Sequence, residues 1–296
     1  MQSCLPHPVT ERARPWLGTL VSIRAEGVPR DEAHAAISAA FREIELVHQL
    51  MSFHSPDSDV SRLNRNRSAG PVAVHPYTFE VLQQAIALSA VTDGCFDISV
   101  AAELVRWGWL PRPSITDVFP HGSWRDIELL ADGSVKFHQP LWIDLGGIAK
   151  GYAVDRAARC LQRHGIPHAV VNAGGDIRVV GPQSEWIALQ LDLPTQDVPV
   201  MELADGSIAS SSGDRQRRES GHLHGPHVDR LHRSSAAAGR FVCVLAEQCT
   251  VADALTKVVI ATGPDGIATL RSYNASAHLF DAGTGWQSLN VAMDCS

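Results

Sequence analysis

Residues 142–152, with the sequence WIDLGGIAKGY, join a short apolar segment to a pair of glycines and then to the start of a helix. Gly146 and Gly147 allow the main chain to approach a ligand closely, and the free amides of a helix start suit a phosphate group. The segment matches neither the P-loop nor the dinucleotide-binding pattern. From these residues alone, a phosphate site and a plain strand-to-helix turn remain equal alternatives.

Three further segments place polar groups at predicted turns or helix starts. Residues 172–176 (NAGGD) give a second double glycine, and residues 92–97 (TDGCFD) form a turn with an acidic end. Two glycine turns that follow neighbouring strands can face one cleft, although each of these segments by itself is more often a plain turn than a binding site. Asp253 and Thr256 lie on the predicted first turn of a helix, where an acidic residue also has a purely structural role toward the helix dipole.

Hydrophobic periodicity outside these segments predicts a mixed order of strands and helices. We predict strands over 19–25, 142–145, 168–173, 177–180, 186–193, 241–246 and 277–281, a hairpin over 127–138, and helices over 31–51, 81–91, 149–164 and 252–262. Residues 52–70 are predicted as a loop, and residues 207–238 as a tract rich in Ser, Gly, Arg and His. This order favours an α+β fold with two lobes that share one sheet system.

Composition excludes several classes of protein. The chain has 296 residues, of which 45% are hydrophobic, with 25 basic and 32 acidic side chains and a net charge of -7. This is a globular composition, and its acidic balance argues against nucleic-acid binding. The six cysteines form no CxxC pair and are expected to be reduced. Because no signal peptide or membrane span is apparent, we predict a cytoplasmic protein.

Four histidines lie close together within the polar tract. His222, His224, His227 and His232 fall in eleven residues with Asp229. The spacing matches no compact zinc pattern, so a solvated loop is favoured over a transition-metal site.

Taken in order, these segments resemble the FAD:protein FMN transferase (ApbE-like) family. The matching segments are Leu17-Gly18-Thr19, Met51-Ser52 with Asp57-Ser58-Asp59 and Leu63-Asn64, Gly94 to Asp97, Asp144 to Tyr152, Asn172 to Asp176, Ile208 to Asp214, and Ala252 to Ala254. The resemblance covers residues 16–263, and several motifs in the same order make it specific.

The resemblance implies a T-fold-like, two-lobed α+β domain over residues 16–296, with an FAD cleft and an N-terminal extension over 1–15. It implies that FAD is split, that FMN is attached through its phosphate to a Thr or Ser of an acceptor flavoprotein, and that AMP is released. By matched position, the FAD-binding residues are Leu17, Cys95, Phe96, Asp97, Asp144 and Lys150. Magnesium is expected at the Gly147 carbonyl, Asp253 and Thr256, and the base is expected to be His227 or Asp229.

Three departures from the family pattern leave alternatives open. Lys257 stands where the family commonly has threonine, so either Thr256 becomes the ligand or the Lys257 ammonium partly replaces the ion. The family's HxxDPRTG segment is altered at residues 227–232, and no export signal or lipid-attachment segment precedes Cys4. The alternatives to FMN transfer are hydrolysis of FAD to FMN and AMP, and flavin binding without turnover.

Overall fold

A computed structural model describes residues 9–66, 70–113, 122–189, 198–212, 225, 227–229, 234–235 and 239–290. Its strands are β1 (Thr10–Trp16), β2 (Thr19–Glu26), β3 (Val72–Ala73), β4 (Ile127–Leu129), β5 (Ser134–Phe137), β6 (His168–Ala173), β7 (Asp176–Val180), β8 (Glu185–Ala188), β9 (Val200–Leu203), β10 (Ser207–Ser212), β11 (Val228–Asp229), β12 (Ser234–Ser235), β13 (Arg240–Ala246), β14 (Ser276–Asp281) and β15 (Gly285–Leu289). Its α-helices are α1 (Arg30–Met51), α2 (Asp59–Arg65), α3 (Pro76–Val91), α4 (Ala101–Arg106), α5 (Ala149–Arg163), α6 (Cys249–Thr262) and α7 (Ile267–Ser272).

Eight of these strands form one antiparallel sheet in the order β1-β2-β6-β7-β10-β13-β14-β15. Successive side chains of a strand point to opposite faces of the sheet. In β2, Val21 and Ile23 are fully buried on one face, whereas Ser22 and Arg24 on the other face are half-buried. The two faces of the sheet therefore have different coverings.

Helices α1, α5 and α6 cover the first face. Helix α1 buries residues at steps of three and four, among them Ile37, Phe41, Ile44 and Val47, which is the spacing of one helical face. These side chains belong to a single hydrophobic cluster that also contains the inward residues of the central strands. The helical layer thus forms the main core.

A smaller hydrophobic cluster lies on the second face. It joins Ile177, Val179 and Ile208 of the main sheet to Leu203 and Ile187 of the separate β8–β9 ribbon. Part of this face is therefore covered by a ribbon of two strands, and among the described residues Ser22 and Arg24 of the same face border an open cleft.

The α+β class is confirmed, and most predicted elements are present with small shifts at their ends. Helix α3 begins at Pro76, where the His75 Nδ1 accepts the Tyr77 N–H at 3.1 Å. Helix α6 begins at Cys249, so Asp253 lies on its second turn, not its first. The predicted strand over 186–193 ends at Ala188 in β8, with residues 190–193 outside the described part of the chain.

Two segments differ from the predictions because short polar residues form regular structure here. The predicted loop 52–70 contains α2, whose first turn is capped by Ser58 Oγ accepting the Ser61 N–H at 3.0 Å. The predicted polar tract 207–238 begins with β10, a central strand in which Ile208 and Ala209 are buried. The sequence did not predict this strand because four of its six residues are serines. Tertiary packing decides such cases more than the strand propensity of single residues does.

The N-terminal segment also differs. Of residues 1–15, which the sequence sets apart as an extension, residues 10–15 belong to β1 and pair with β2 along their length. Charged side chains such as Glu11 and Arg12 are typical of an edge strand, and they masked the apolar alternation. Within the described ranges, no helix combines the length and apolarity needed to cross a bilayer.

Candidate functional site

A cleft of about 1100 Å³ opens between the second face of the main sheet and several loops. All six residues expected to bind FAD line it: Leu17, Cys95, Phe96, Asp97, Asp144 and Lys150. Gly147 and His227 line it as well. The structure therefore brings sequence-distant motifs to one cavity, although it assigns them no ligand.

Two tight turns form part of the wall of the cleft. Leu17 and Gly18 connect β1 to β2 with φ angles of 56° and 73°, a conformation that is unusual for leucine. Gly174 connects β6 to β7, and a Cβ atom added there would lie 2.5 Å from the Thr19 Oγ1. The two turns thus pack against each other so closely that a side chain at position 174 would displace Thr19.

Residues 142–145 are not a strand, although the sequence predicts one. The side chain of Asn64 takes the place of a neighbouring strand: its Nδ2 donates to the Ile143 carbonyl at 2.9 Å, and its Oδ1 accepts the Ile143 N–H at 2.8 Å. The Asp144 N–H donates to the Ile98 carbonyl at 2.8 Å. These contacts hold the double glycine in place before α5.

Asp144 marks the start of the double-glycine turn. Its Oδ2 accepts the Gly146 N–H at 3.1 Å. Burial raises the pKa of Asp144 to about 6, against the opposing effects of this hydrogen bond and of the charges on His54 and Lys257. Helix α5 has no side-chain cap at Ile148, and three amides of its first turn already have acceptors: Ala149 donates to the Leu145 carbonyl at 2.8 Å, Gly151 to the Asp253 Oδ2 at 3.0 Å and Tyr152 to the Ile148 carbonyl at 3.2 Å.

Four charged residues form what we call the lysine–aspartate cluster: Lys150, Asp176, Asp253 and Lys257. Asp176 and Asp253 are fully buried. Lys150 forms an ion pair with Asp176, and its Nζ lies 3.9 Å from the Asp253 Oδ1. Lys257 forms an ion pair with Asp253 one helical turn earlier on α6. The formal charges of the cluster cancel.

The pKa values of the cluster follow from burial and from these pairs. Burial and the neighbouring Asp253 raise the pKa of Asp176 to about 6. Burial acts to raise the pKa of Asp253 too, but Lys150 and Lys257 outweigh it and lower that pKa. Burial acts to lower the pKa of Lys150, yet Asp176 and Asp253 raise it overall. Lys150 is therefore charged at neutral pH, and Asp253 is ionised.

His227 lies at the edge of the described part of the polar tract and faces the cleft. Burial, followed by the charges of Lys257 and Lys150, lowers its pKa to about 3. Its imidazole is therefore neutral at pH 7. The side chain of Asp229 lies outside the described residues, as do His222, His224 and His232.

The predicted magnesium ligands do not fit the ion in this arrangement. Magnesium requires several oxygen ligands in near-octahedral geometry. Gly147 and Lys257 line the cleft, whereas Asp253 and Thr256 are fully buried. The Lys257 ammonium, which cannot ligate a cation, already pairs with the Asp253 carboxylate on the side of the cleft.

Comparison with known proteins identifies the family of this chain. A sequence profile described as "ApbE family" matches residues 17–280. The chain belongs to the ApbE family. A relative from Vibrio cholerae named FAD:protein FMN transferase is 30% identical over 241 residues, which cover 76% of this chain and 72% of the relative. A relative of the same name from Rhodobacter capsulatus is 26% identical, over 84% of this chain and 50% of its own length.

Solved structures of ApbE proteins share the fold. The flavin transferase ApbE from Vibrio cholerae superimposes with a TM-score of 0.82 at 25% identity, over 96% of this chain and 97% of that protein. The ApbE protein from Thermotoga maritima superimposes with a TM-score of 0.83 at 24% identity, over 95% and 97% of the two chains. The similarity to the second structure concerns the fold alone.

Several residues that shape the site of this ApbE-family chain carried no predicted role. Asn64 and Asp176 lay inside matched motifs, and their polar side chains beside apolar residues were the available signal. Asp155 gave no such signal. It is buried on α5 and accepts the N–H groups of Cys249 and Thr250 at 2.9 and 2.8 Å, which caps α6 from a neighbouring helix.

A second group of possible metal ligands lies at the side of the cleft. Glu26, His168 and Glu185 have ligand atoms within 4.8 Å of one another. Arg24 forms ion pairs with both glutamates, so a cation is already supplied by the chain. We therefore interpret this group as an ion-pair network that joins β2 and β6 to the β8–β9 ribbon.

Proposed function

We propose that this ApbE-family protein is an FAD:protein FMN transferase, which attaches FMN to a Thr or Ser hydroxyl of an acceptor flavoprotein. The observation that carries the proposal is the convergence of the two glycine turns, the start of α5 and two lysines on one large cleft. Such a cleft has the size of a site for a large cofactor. The ammonium groups of Lys150 and Lys257, which line the cleft, suit a diphosphate.

The proposed reaction transfers FMN, through its phosphoryl group, from FAD to the acceptor hydroxyl. The acceptor hydroxyl oxygen attacks the phosphorus of the FMN half of FAD, and the bond from that phosphorus to the bridging oxygen breaks. The bridging oxygen leaves with AMP, and the hydroxyl proton passes to a base. Most of the catalysis in such reactions comes from positioning and from stabilising negative charge.

The chain supplies groups for each of these tasks. Lys150 is held charged in the lysine–aspartate cluster and lines the cleft, where it stabilises negative charge on the phosphates. His227 is neutral at pH 7 and can accept a hydrogen bond from the acceptor hydroxyl. Its pKa of about 3 makes it a weak base in the empty cleft, and the arrival of a diphosphate favours the protonated form. Asp229 stays the alternative base.

Membership of the ApbE family does not decide three further predictions, which concern magnesium, cellular location and nucleic-acid binding. Magnesium at Gly147, Asp253 and Thr256 is expected from the sequence, but these groups do not fit the ion, and the proposed reaction does not depend on it. A cytoplasmic location and the absence of a nucleic-acid partner also stay predictions.

The test is to incubate the purified protein with FAD and an acceptor flavoprotein of the Vibrio cholerae relative, with and without Mg²⁺. We expect flavin fluorescence that stays with the acceptor under denaturing conditions, and one AMP released per flavin attached. An acceptor whose target Thr is changed to Val should stay unlabelled. Free FMN produced equally with and without acceptor would instead establish hydrolysis, and intact bound FAD would establish a binding protein.

A further inference from the structure

We propose that the Lys257 ammonium takes the place of a divalent cation beside Asp253, so that this protein binds FAD without a metal ion at that position. The inference rests on the proposed function only for the identity of the ligand. The displacement of the ion follows from the side chains around Asp253.

The position of Lys257 is fixed by oxygen atoms. Its Nζ pairs with the Asp253 Oδ1, and it donates to the Asp253 carbonyl at 3.1 Å and to the Ser211 Oγ at 3.2 Å. A cation held between a carboxylate, a carbonyl and a hydroxyl has the surroundings that a hard metal ion would select. Here the ammonium has those surroundings.

Lys257 also lies on the side of Asp253 that faces the ligand. The side chain lines the cleft, and its Cε lies 3.6 Å from the point where a Cβ atom on Gly147 would be. Gly147 is the residue whose carbonyl is expected to contact the ion. Lys257 therefore pairs with Asp253 and packs beside Gly147, two of the three predicted magnesium ligands.

Charge balance opposes a divalent ion in addition to Lys257. The two carboxylates of the lysine–aspartate cluster are already matched by two ammonium groups. A doubly charged ion beside Asp253 would be repelled by Lys257 and by Lys150, whose Nζ is 3.9 Å from the same carboxylate. Repulsion at such distances is large in a partly buried site.

Thr256 does not restore a metal site. Its hydroxyl is fully buried, donates to the Asp253 carbonyl at 2.7 Å and lies 2.8 Å from the Ser211 Oγ. It is thus bound to its own helix and to β10. The structure favours ion replacement by Lys257 over ligation by Thr256.

The first experiment measures Mn²⁺ binding to the FAD-free protein by electron paramagnetic resonance. We expect no stoichiometric site in the wild type, and one site per chain, at least about tenfold tighter, in Lys257→Thr. The added Asp253→Asn change should remove that new site, and the matched control Lys136→Thr should bind as the wild type does. A stoichiometric wild-type site that Asp253→Asn abolishes would overturn the proposal.

The second experiment measures FAD affinity by flavin fluorescence, in a chelator and in excess Mg²⁺. For the wild type and for Lys257→Arg, the affinity of each protein for FAD should be the same in the chelator as in Mg²⁺. Lys257→Thr should lose at least about tenfold in FAD affinity in the chelator and recover it with Mg²⁺. A tenfold loss for the wild type in the chelator would overturn the proposal. No FAD binding by the wild type in either buffer would refute the proposed function, and the Mn²⁺ measurement would still decide the cation question.

Discussion

At the scale of single residues, the cleft is shaped by groups whose charges are costly to bury. Asp144 is the clearest case, because burial raises its pKa to about 6 from an ordinary value of 3.8. Between these two pH values the folded protein holds a proton that the unfolded chain has released. The stability of the protein therefore falls as the pH rises through this window.

We predict that Asp144→Asn stabilises the FAD-free protein at pH 7 by about 2 kcal/mol, because a neutral amide avoids this burial penalty and still accepts the Gly146 N–H. One pKa unit corresponds to about 1.4 kcal/mol, and the side chain keeps some contact with water. Urea unfolding at pH 4 and pH 7 measures the effect, and at pH 4 the difference should shrink to about 0.5 kcal/mol or less. The exposed Asp265→Asn should change stability little at either pH; an equal gain at both would contradict the explanation.

Lys150 provides the opposite case, since its removal leaves Asp176 buried without its ion pair. We predict that Lys150→Met lowers the free energy of unfolding by about 3 kcal/mol, as measured by chemical denaturation. The double variant Lys150→Met/Asp176→Asn should recover at least half of this loss, because the uncompensated carboxylate is gone. Lys136→Met serves as the matched control and should be nearly neutral. A double variant as unstable as the single one would show that packing, and not charge, is responsible.

The sequence predicts which residues converge on the cleft, but it predicts only some of the ion pairs among them. Leu17, Cys95, Phe96, Asp97, Asp144 and Lys150 converge as the motifs predict. The pairing of Lys257 with Asp253 follows from their spacing of four on a helix, but the pairing of Lys150 with Asp176 does not. That contact joins a helix to a strand, and only the tertiary fold brings them together.

At the scale of elements, the contact between α5 and α6 positions the lysine–aspartate cluster. Gly151 makes the contact possible: a Cβ atom there would lie 2.2 Å from the Cys249 carbonyl oxygen and 2.8 Å from the Asp253 Cβ. Its N–H also donates to the Asp253 Oδ2 at 3.0 Å. Asp155, one turn further along α5, caps the start of α6.

We predict that Gly151→Ala destabilises the protein by about 3 kcal/mol, although alanine is the better helix former, because the added methyl group forces the two helices apart. Thermal and urea unfolding measure the loss. Gln162→Ala, on the exposed side of the same helix, should be neutral within about 0.5 kcal/mol. A stable Gly151→Ala protein would mean that α6 can move without cost.

Long helices were predicted from the sequence, whereas a serine-rich strand and an edge strand were missed, for a physical reason. A long helix such as α1 repeats its apolar residues over many turns, and this period is visible in sequence. Strand β10 has only six residues and contains four serines, and β1 at the sheet edge has alternating charges. Their places in the sheet depend on neighbours distant in sequence, which no local pattern specifies.

At the scale of the whole molecule, the main sheet separates the hydrophobic core from the cleft. Its first face packs against α1, α5 and α6 and forms the main core. Its second face carries the β8–β9 ribbon and borders the cleft. Because the cleft draws residues from many strands, a ligand that fills it stabilises the sheet as a unit.

We therefore predict that FAD at about 100 times its dissociation constant raises the free energy of unfolding by about 2.7 kcal/mol. For a chain of this size the midpoint of thermal unfolding should rise by about 5 °C. Scanning calorimetry measures the shift. Riboflavin, which lacks the diphosphate, should give a smaller shift at the same molar concentration. An equal shift with riboflavin would argue against the phosphate-binding role of the glycine turns.

The bond between Asn64 and Ile143 joins residues that are 79 positions apart. Closing so long a loop is entropically costly and slow compared with forming a helix. We therefore expect the double-glycine turn to acquire its shape only after the segments around Asn64 and Ile143 have come together. A protease nick between the two partners would leave every catalytic group present, yet it would relax the turn, so flavin retention would serve as a gauge of backbone integrity.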